Sequence, residues 1–233
     1  MSSQVQRGSR DMSASSSTRR YIIPDIITLT ALATSFESII SAAKLNFELS
    51  SRLFFFALFL DYLDGAVARL LNAKSPHGEM LDRFTDRVNQ CIAPAILLSM
   101  RDGFIAQIPS VLLIIAGAIR ISMPKGERHF NGAPTFIPAL LIETPVLGGI
   151  NIPIALVIIS IIMTLVPLRY PRSKETAGSG FLWDLRFLPP LIISIAPHPL
   201  VDVICTFVSI LSLLILFIGP FIYRKQEAKG KEE

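Results

Sequence analysis

From Tyr21 onward the chain alternates long apolar runs with short polar breaks, and the runs have the length of a bilayer crossing. The first four cover 21–43, 51–72, 79–100 and 104–122. The stretch 134–168 is too long for one helix and is broken by Pro145, Gly148, Gly149 and Pro153, which predicts helices over 134–147 and 150–168. His198 and Pro199 divide 187–223 in the same way, into 187–197 and 199–223. A crossing takes roughly 20 apolar residues, so the fifth and seventh runs read as tilted or re-entrant segments. The pattern predicts an all-α membrane bundle of eight spans, or of six if those two do not cross. Residues 1–20, rich in Ser, Arg and Gln with almost no aliphatic residue, predict a disordered tail. The run after it is long and lacks a small-residue cleavage pattern, so it reads as a span and not as a signal peptide. Residues 21–223 then form one transmembrane domain, followed by a basic tail over 224–233.

Composition narrows the function. Hydrophobic residues make up 51% of the chain and charged residues 17%, with a mean hydropathy of +0.54. A soluble domain carries about 25% charged residues, so a nucleic-acid binder, a disordered hub and an ordinary cytosolic enzyme are excluded as readings. The net charge of +4 reflects topology and anionic headgroups in so apolar a chain. With the N-terminus placed in the cytoplasm, 18 Lys and Arg fall on the inner side and only Lys44, Arg52 and Arg101 on the outer side. This asymmetry predicts an even number of spans with both termini cytoplasmic. Cys91 and Cys205 lie inside apolar runs with no metal-ligand spacing and read as packing residues. Trp183, near an inner loop, reads as an interfacial anchor.

The candidate chemistry lies between residues 61 and 86. On a helix, Asp61, Asp64, Gly65 and Ala68 share one face, and so do Gly78, Asp82 and Asp86. The turn through Lys74, Ser75 and Pro76 can bring the two faces together. Asp61 sits about 15 Å down its helix from that turn, where a bare carboxylate needs water and cations. Four carboxylates offering only oxygen suit hard divalent ions such as Mg²⁺ or Mn²⁺, and two such ions could clamp a pyrophosphate. Gly65 and Ala68 leave room for a ligand on the same face, and Arg69 beside it could hold a phosphate. A lone intramembrane Asp is often structural, but four on two faces with a Gly/Ala groove argue for a site. A transporter using the carboxylates for ions or protons is the reading from another class; it accounts for the acids but not for the Gly, Ala and Arg among them.

The segment D-Y-L-D-G-A-V-A-R through G-E-M-L-D-R-F-T-D resembles, position by position, the signature of the CDP-alcohol phosphotransferase family, D-x2-D-G-x2-A-R-x8-G-x3-D-x3-D. Asp61, Asp64, Gly65, Ala68, Arg69, Gly78, Asp82 and Asp86 fill its fixed positions. Pro24-Asp25-Ile26-Ile27-Thr28 is similar to the P-N-x-x-T opening of the phosphatidylserine synthase branch. Arg120-Ile121-Ser122, the run from Phe130 to Thr135, and Leu168-Arg169-Tyr170-Pro171 resemble further elements of that branch. The resemblance covers about residues 21–172, and an eight-span layout agrees with it. Asp25 replaces the usual Asn, Met123 a basic residue and Phe136 a frequent Pro; these departures bear on the acceptor and not on the reaction.

The resemblance implies that a hydroxyl attacks the β-phosphorus of a CDP-linked lipid and expels CMP, with an archaetidylserine synthase as the ether-lipid counterpart. It implies that Asp61, Asp64, Asp82 and Asp86 hold two Mg²⁺ or Mn²⁺ ions and that Asp86 is the general base. Arg69 would stabilise the charge developing on phosphorus and on CMP. Pro24, Asp25, Thr28, Gly65, Ala68 and Gly78 would line the CDP-lipid groove. Arg120, with Gly132 and Pro134, is the candidate site for the acceptor's carboxylate, although Arg120 reads equally as one more positive-inside residue. Serine is the favoured acceptor. Glycerol 3-phosphate or inositol phosphate stays open, because Arg83 and Arg87 flank the acids and could bind a phosphate. Lys125, His129, His77 and His198 read as solvated, loop or cap residues, and Glu37, Glu143 and Asp202 have no role in this reading. The expected partners are the CDP-lipid, the alcohol, membrane lipids and a second copy of the chain, with no nucleic acid and with the site facing the cytoplasm.

Overall fold

The computed structural model describes residues 2–73, 75–122, 129–171 and 188–229, with side chains over 22–73, 75–121, 132–170 and 188–222. It is helical almost throughout: α1 (Ser2–Ala43), α2 (Phe47–Leu70), α3 (Pro76–Arg87), α4 (Ala93–Asp102), α5 (Phe104–Ser122), α6 (Phe136–Gly148), α7 (Ile154–Leu165), α8 (Leu188–Ile195) and α9 (Leu200–Lys229). A π-helical turn, Val88–Ile92, joins α3 to α4. Each predicted apolar run contains helix, the third being α3 and α4 together, and α1 also extends back through residues 2–20, where the sequence predicted a disordered tail.

Local chemistry explains the breaks. Asn46 caps α2, its side chain accepting from the Leu49 amide at 3.3 Å. Gly149, with φ at 58°, ends α6 in the left-handed conformation, and Pro153 precedes α7. The sixth predicted run is trimmed to Ile154–Leu165 because Val166 precedes Pro167 and takes an extended conformation.

Among the described residues, Ile22–Ala43, Phe104–Ile121 and Leu200–Ile222 are long and apolar enough to cross a membrane. Phe136–Gly148 and Ile154–Leu165 are apolar but shorter, about 20 Å and 18 Å against a hydrocarbon core of about 30 Å. Two short strands depart from the purely helical expectation. β1 (His129–Asn131) pairs antiparallel with β2 (Arg169–Pro171), Phe130 opposite Tyr170. Tyr170 is buried and its hydroxyl donates to the Leu216 carbonyl at 2.8 Å, which ties the strand pair to α9.

Two apolar clusters make the interior, one around Leu97, Leu113, Ile137 and Ile161, the other around Phe54, Phe55, Ile193 and Val201. Both cysteines are buried, as their setting predicted. A Cβ on Gly117 would come within 2.6 Å of Cys91 Sγ, and one on Gly148 within 2.8 Å of Cys205 Cβ, so each cysteine side chain packs into the space a glycine leaves. Hydroxyl pairs bridge helices within this interior: Ser38 with Ser50 and Thr144 with Ser209. Large apolar side chains such as Ile26, Phe207 and Phe221 face outward, as lipid contact requires.

Two of the acids without a role find partners here. Asp202 Oδ1 lies 2.6 Å from His198 Nδ1 at the start of α9. Glu143, fully buried in α6, accepts from Ser51 Oγ at 2.6 Å through Oε2, while its Oε1 has no partner among the described residues. A buried ionised carboxylate is costly, and Gln preserves both the volume and the acceptor for Ser51. Glu143→Gln is expected to melt in detergent no lower than the wild type. Glu143→Ala, which leaves a cavity, is expected to lose about 2 kcal/mol of stability. A Gln variant less stable than the Ala variant would show that the charge itself is needed.

Candidate active site

The site assembles where α1 packs against both α2 and α3. Ser75 caps α3, its hydroxyl accepting from the Gly78 amide at 2.9 Å, and Pro76 fills the first turn. The chain reversal before this cap brings Asp82 to the acidic face of α2. One carboxylate oxygen from each of Asp61, Asp64 and Asp82 lies within 4.8 Å of the others. Asp64 is buried and accepts from Thr28 Oγ1 of α1 at 2.5 Å. Asp61 Oδ1 is buried with no hydrogen-bond partner among the described residues.

This donor set fits a hard divalent cation. Ligand oxygens on opposite sides of Mg²⁺ stand about 4.2 Å apart, so the three carboxylates need only small adjustments to share an ion. The unpartnered oxygen of Asp61 gives one of them a buried lone pair to offer. Without a cation, adjacent like charges in a low-dielectric setting repel strongly.

Asp86 stands beside this trio, near enough for its charge to act on Asp61, but outside the group of three. Its Oδ1 accepts from the side-chain amide of Gln90. Gln90 Oε1 accepts from Thr135 Oγ1 at 2.7 Å, and Thr135 Oγ1 accepts from Arg87 Nη1 at 2.9 Å.

The predicted groove residues fall around the acids. Pro24 and Thr28 are buried in α1, and the Thr28 hydroxyl that bonds Asp64 is also 3.1 Å from the Pro24 carbonyl. Asp25 Oδ1 lies 3.1 Å from where a Cβ on Gly78 would stand, so the opening of α1 and the start of α3 meet there. Arg69, exposed in the last turn of α2, leans over Gly65, with Nη1 3.5 Å from that residue's absent Cβ. Ala68 is half-buried beside them.

The candidate acceptor residues also come together. Gly132 has φ at 86°, and Arg120 Nη1 lies 3.1 Å from the place its Cβ would take. Gly132 N donates to Leu168 O at 2.7 Å and Ala133 N to Met163 O at 2.9 Å, which anchors the segment through Pro134 to the end of α7. Arg87 is close enough to Arg120 for their charges to interact. Arg83, by contrast, pairs with Glu79 at 2.9 Å on the exposed side of α3, so the two flanking arginines part company. His77 is exposed. The side chains of Lys125, His129 and Trp183 lie outside the described residues. Gln90 is the residue that sequence reasoning missed; its one available signal was the four-residue spacing from Asp86, which puts the two on one helix face.

The chain matches the sequence profile of the CDP-alcohol phosphatidyltransferase family over residues 21–188, which include all four aspartates and the Arg120–Gly132 pair. It is 26% identical over 212 residues to the CDP-diacylglycerol–serine O-phosphatidyltransferase of Helicobacter pylori, covering 89% of this chain and 84% of that protein. It is 24% identical over 169 residues to the archaetidylserine synthase of Methanothermobacter thermautotrophicus, covering 67% and 72%. It is 26% identical over 193 residues to the phosphatidylcholine synthase of Legionella bozemanae, covering 73% and 86%.

Proposed function

Because the chain belongs to the CDP-alcohol phosphatidyltransferase family, we propose that it transfers a phosphatidyl-type group from a CDP-linked lipid to the hydroxyl of serine, with release of CMP. The observation that carries this reading is the convergence of Asp61, Asp64 and Asp82 within 4.8 Å, with Asp86 beside them. Two Mg²⁺ or Mn²⁺ ions held by the four aspartates would supply positive charge to the diphosphate and to the departing phosphate. Asp86 takes the proton as the serine oxygen bonds to the β-phosphorus and the bond to the bridging oxygen of CMP breaks. Arg69 offsets charge on the phosphoryl oxygens. Pro24, Asp25, Thr28, Gly65, Ala68 and Gly78 line the groove for the CDP moiety, while the lipid tails stay in the bilayer.

The acceptor follows from charge. Arg120 sets a guanidinium beside Gly132, and Arg87 is near enough for the two charges to interact, which favours the carboxylate of serine and disfavours a cation such as choline. A phosphorylated alcohol satisfies the same pair, so glycerol 3-phosphate and inositol phosphate are the acceptors to exclude. The distribution of Lys and Arg supports an even number of spans, with both termini and the cleft on the cytoplasmic side. Eight spans, with tails over 1–20 and 224–233, complete the proposed layout. A homodimer is part of the same proposal.

The test is CMP release by purified protein in detergent, with Mn²⁺ or Mg²⁺ and with CDP-diacylglycerol or CDP-archaeol as donor. Serine, glycerol 3-phosphate, inositol phosphate and choline are offered separately. The expected result is release with serine alone, abolished by EDTA. Release with choline alone would overturn the reading of the arginine pair. Silence with both lipids and every acceptor would overturn the reaction and favour the transporter.

A further inference from the structure

A single directional chain of hydrogen bonds joins the acceptor segment to the proposed base, and its direction is dictated by chemistry. Arginine has donors only, so Thr135 Oγ1 must accept from Arg87 Nη1. The one hydroxyl proton of Thr135 is therefore given to Gln90 Oε1. That orients the Gln90 amide with its nitrogen toward Asp86, where it donates to Oδ1. Reversing any member would place two donors or two acceptors face to face.

The surroundings commit these side chains to the chain. Gln90 and Thr135 are 8% and 5% exposed, so water does not compete freely for their polar atoms. Thr135 occupies the N-cap position of α6 but makes no capping hydrogen bond, its hydroxyl being used by Arg87 and Gln90 instead. Gln90 lies in the π-helical turn Val88–Ile92, where the Ala93 amide bonds back to Val88 O across one extra residue. Such a turn inserted into a helix is common at functional sites and sets side chains at angles a regular helix does not offer.

From this geometry we infer that Gln90 and Thr135 are positioning residues for Asp86. They hold its Oδ1 on the amide and so fix the orientation in which the carboxylate meets the incoming hydroxyl. Because Arg87 also stands beside Arg120, the chain links the proposed docking place of an anionic acceptor to the carboxylate that takes its proton. The inference rests on Asp86 being the base in the reading above, and Asp86→Asn is the control that separates the two.

Four variants test it: Thr135→Val, which keeps shape but not the hydroxyl, Thr135→Ser, which restores the hydroxyl, Gln90→Met and Asp86→Asn. Each is assayed for kcat and for the KM of both substrates, and CMP binding in Mn²⁺ is measured by calorimetry. Thr135→Val and Gln90→Met are expected to lower kcat by roughly 10- to 100-fold, the usual cost of losing a residue that orients a catalytic ligand. CMP affinity and the KM for the CDP-lipid should stay within about threefold, and Thr135→Ser should recover most of the lost kcat. Val and Ser variants equally impaired, or a Val variant with wild-type kcat, would overturn the inference. If Asp86→Asn turns over normally, the base assignment itself fails and the positioning role falls with it.

Discussion

Asp61→Asn is expected to lower CMP release by roughly a thousandfold or more, the scale of a metal's several kcal/mol of charge stabilisation at about 1.4 kcal/mol per tenfold. Asp61 is singled out because its Oδ1 is buried and unpartnered among the described residues, while the other carboxylates of the trio make hydrogen bonds or other interactions. The amide that replaces it keeps the volume but loses the charge. The same change has an opposite effect on the metal-free protein. In EDTA, removing one of four mutually repelling carboxylates should leave the melting temperature equal to or above that of the wild type. Added Mn²⁺ should then raise the melting temperature of the wild type and not that of the variant. Thermal unfolding with and without Mn²⁺, beside the CMP assay, checks both halves. A variant that is inactive and also less stable in EDTA would point to a structural aspartate. A variant active within tenfold would remove Asp61 from the site.

Gly132→Ala should be the most disruptive single methyl that the acceptor segment can receive. With φ at 86°, a Cβ there would stand 2.2 Å from the Thr164 carbonyl oxygen and 2.9 Å from its carbon. Backbone cannot yield as a flexible side chain does, so the segment must pull away from α7. That breaks the bonds from Gly132 N to Leu168 O and from Ala133 N to Met163 O. Two hydrogen bonds of about 1 kcal/mol each plus backbone strain of about 1–3 kcal/mol give a loss of about 3–5 kcal/mol. Arg120 and Thr135 shift with the segment, so the KM for the acceptor should rise at least about tenfold while that for the CDP-lipid changes little. Gly149→Ala is the matched control. Its φ is 58°, but nothing lies within 4 Å of the added Cβ, so only the left-handed penalty of about 1–2 kcal/mol applies and kinetics should be unaffected. Equal effects of the two substitutions on the acceptor's KM would show that the close approach at Gly132 is irrelevant to the site.

Much of this molecule could be read from local pattern. The breaks at Gly149 and Pro153 act through the backbone of their own neighbours, so those limits were visible; the stop before Pro167 acts in the same local way, although the predicted run continued through it to 168. The acidic faces were visible for a similar reason: a helix fixes which residues share a face, and a carboxylate in an apolar run is conspicuous because it is costly. The strand pair was not visible, since three-residue strands carry no periodicity, and α6 and α7 separate Phe130 from its register partner Tyr170 along the chain. Nor could the sequence separate Arg83 from Arg87. They lie four residues apart, yet one turns to Glu79 at the surface and the other to Thr135 in the interior.

The sequence by itself determined the apolar helical class, the breaks at Gly149 and Pro153, and the family signature that the four aspartates fill. The first rests on composition, and the others on spacing along single helices and on local backbone chemistry. Tertiary structure alone decided the partnerships: Thr28 with Asp64, Ser51 with Glu143 across 92 positions, and Gln90 with Thr135 across 45. Those pairings are set by which helix faces pack together. A buried polar atom takes whatever complementary atom the packing delivers, and a one-dimensional pattern does not contain that choice.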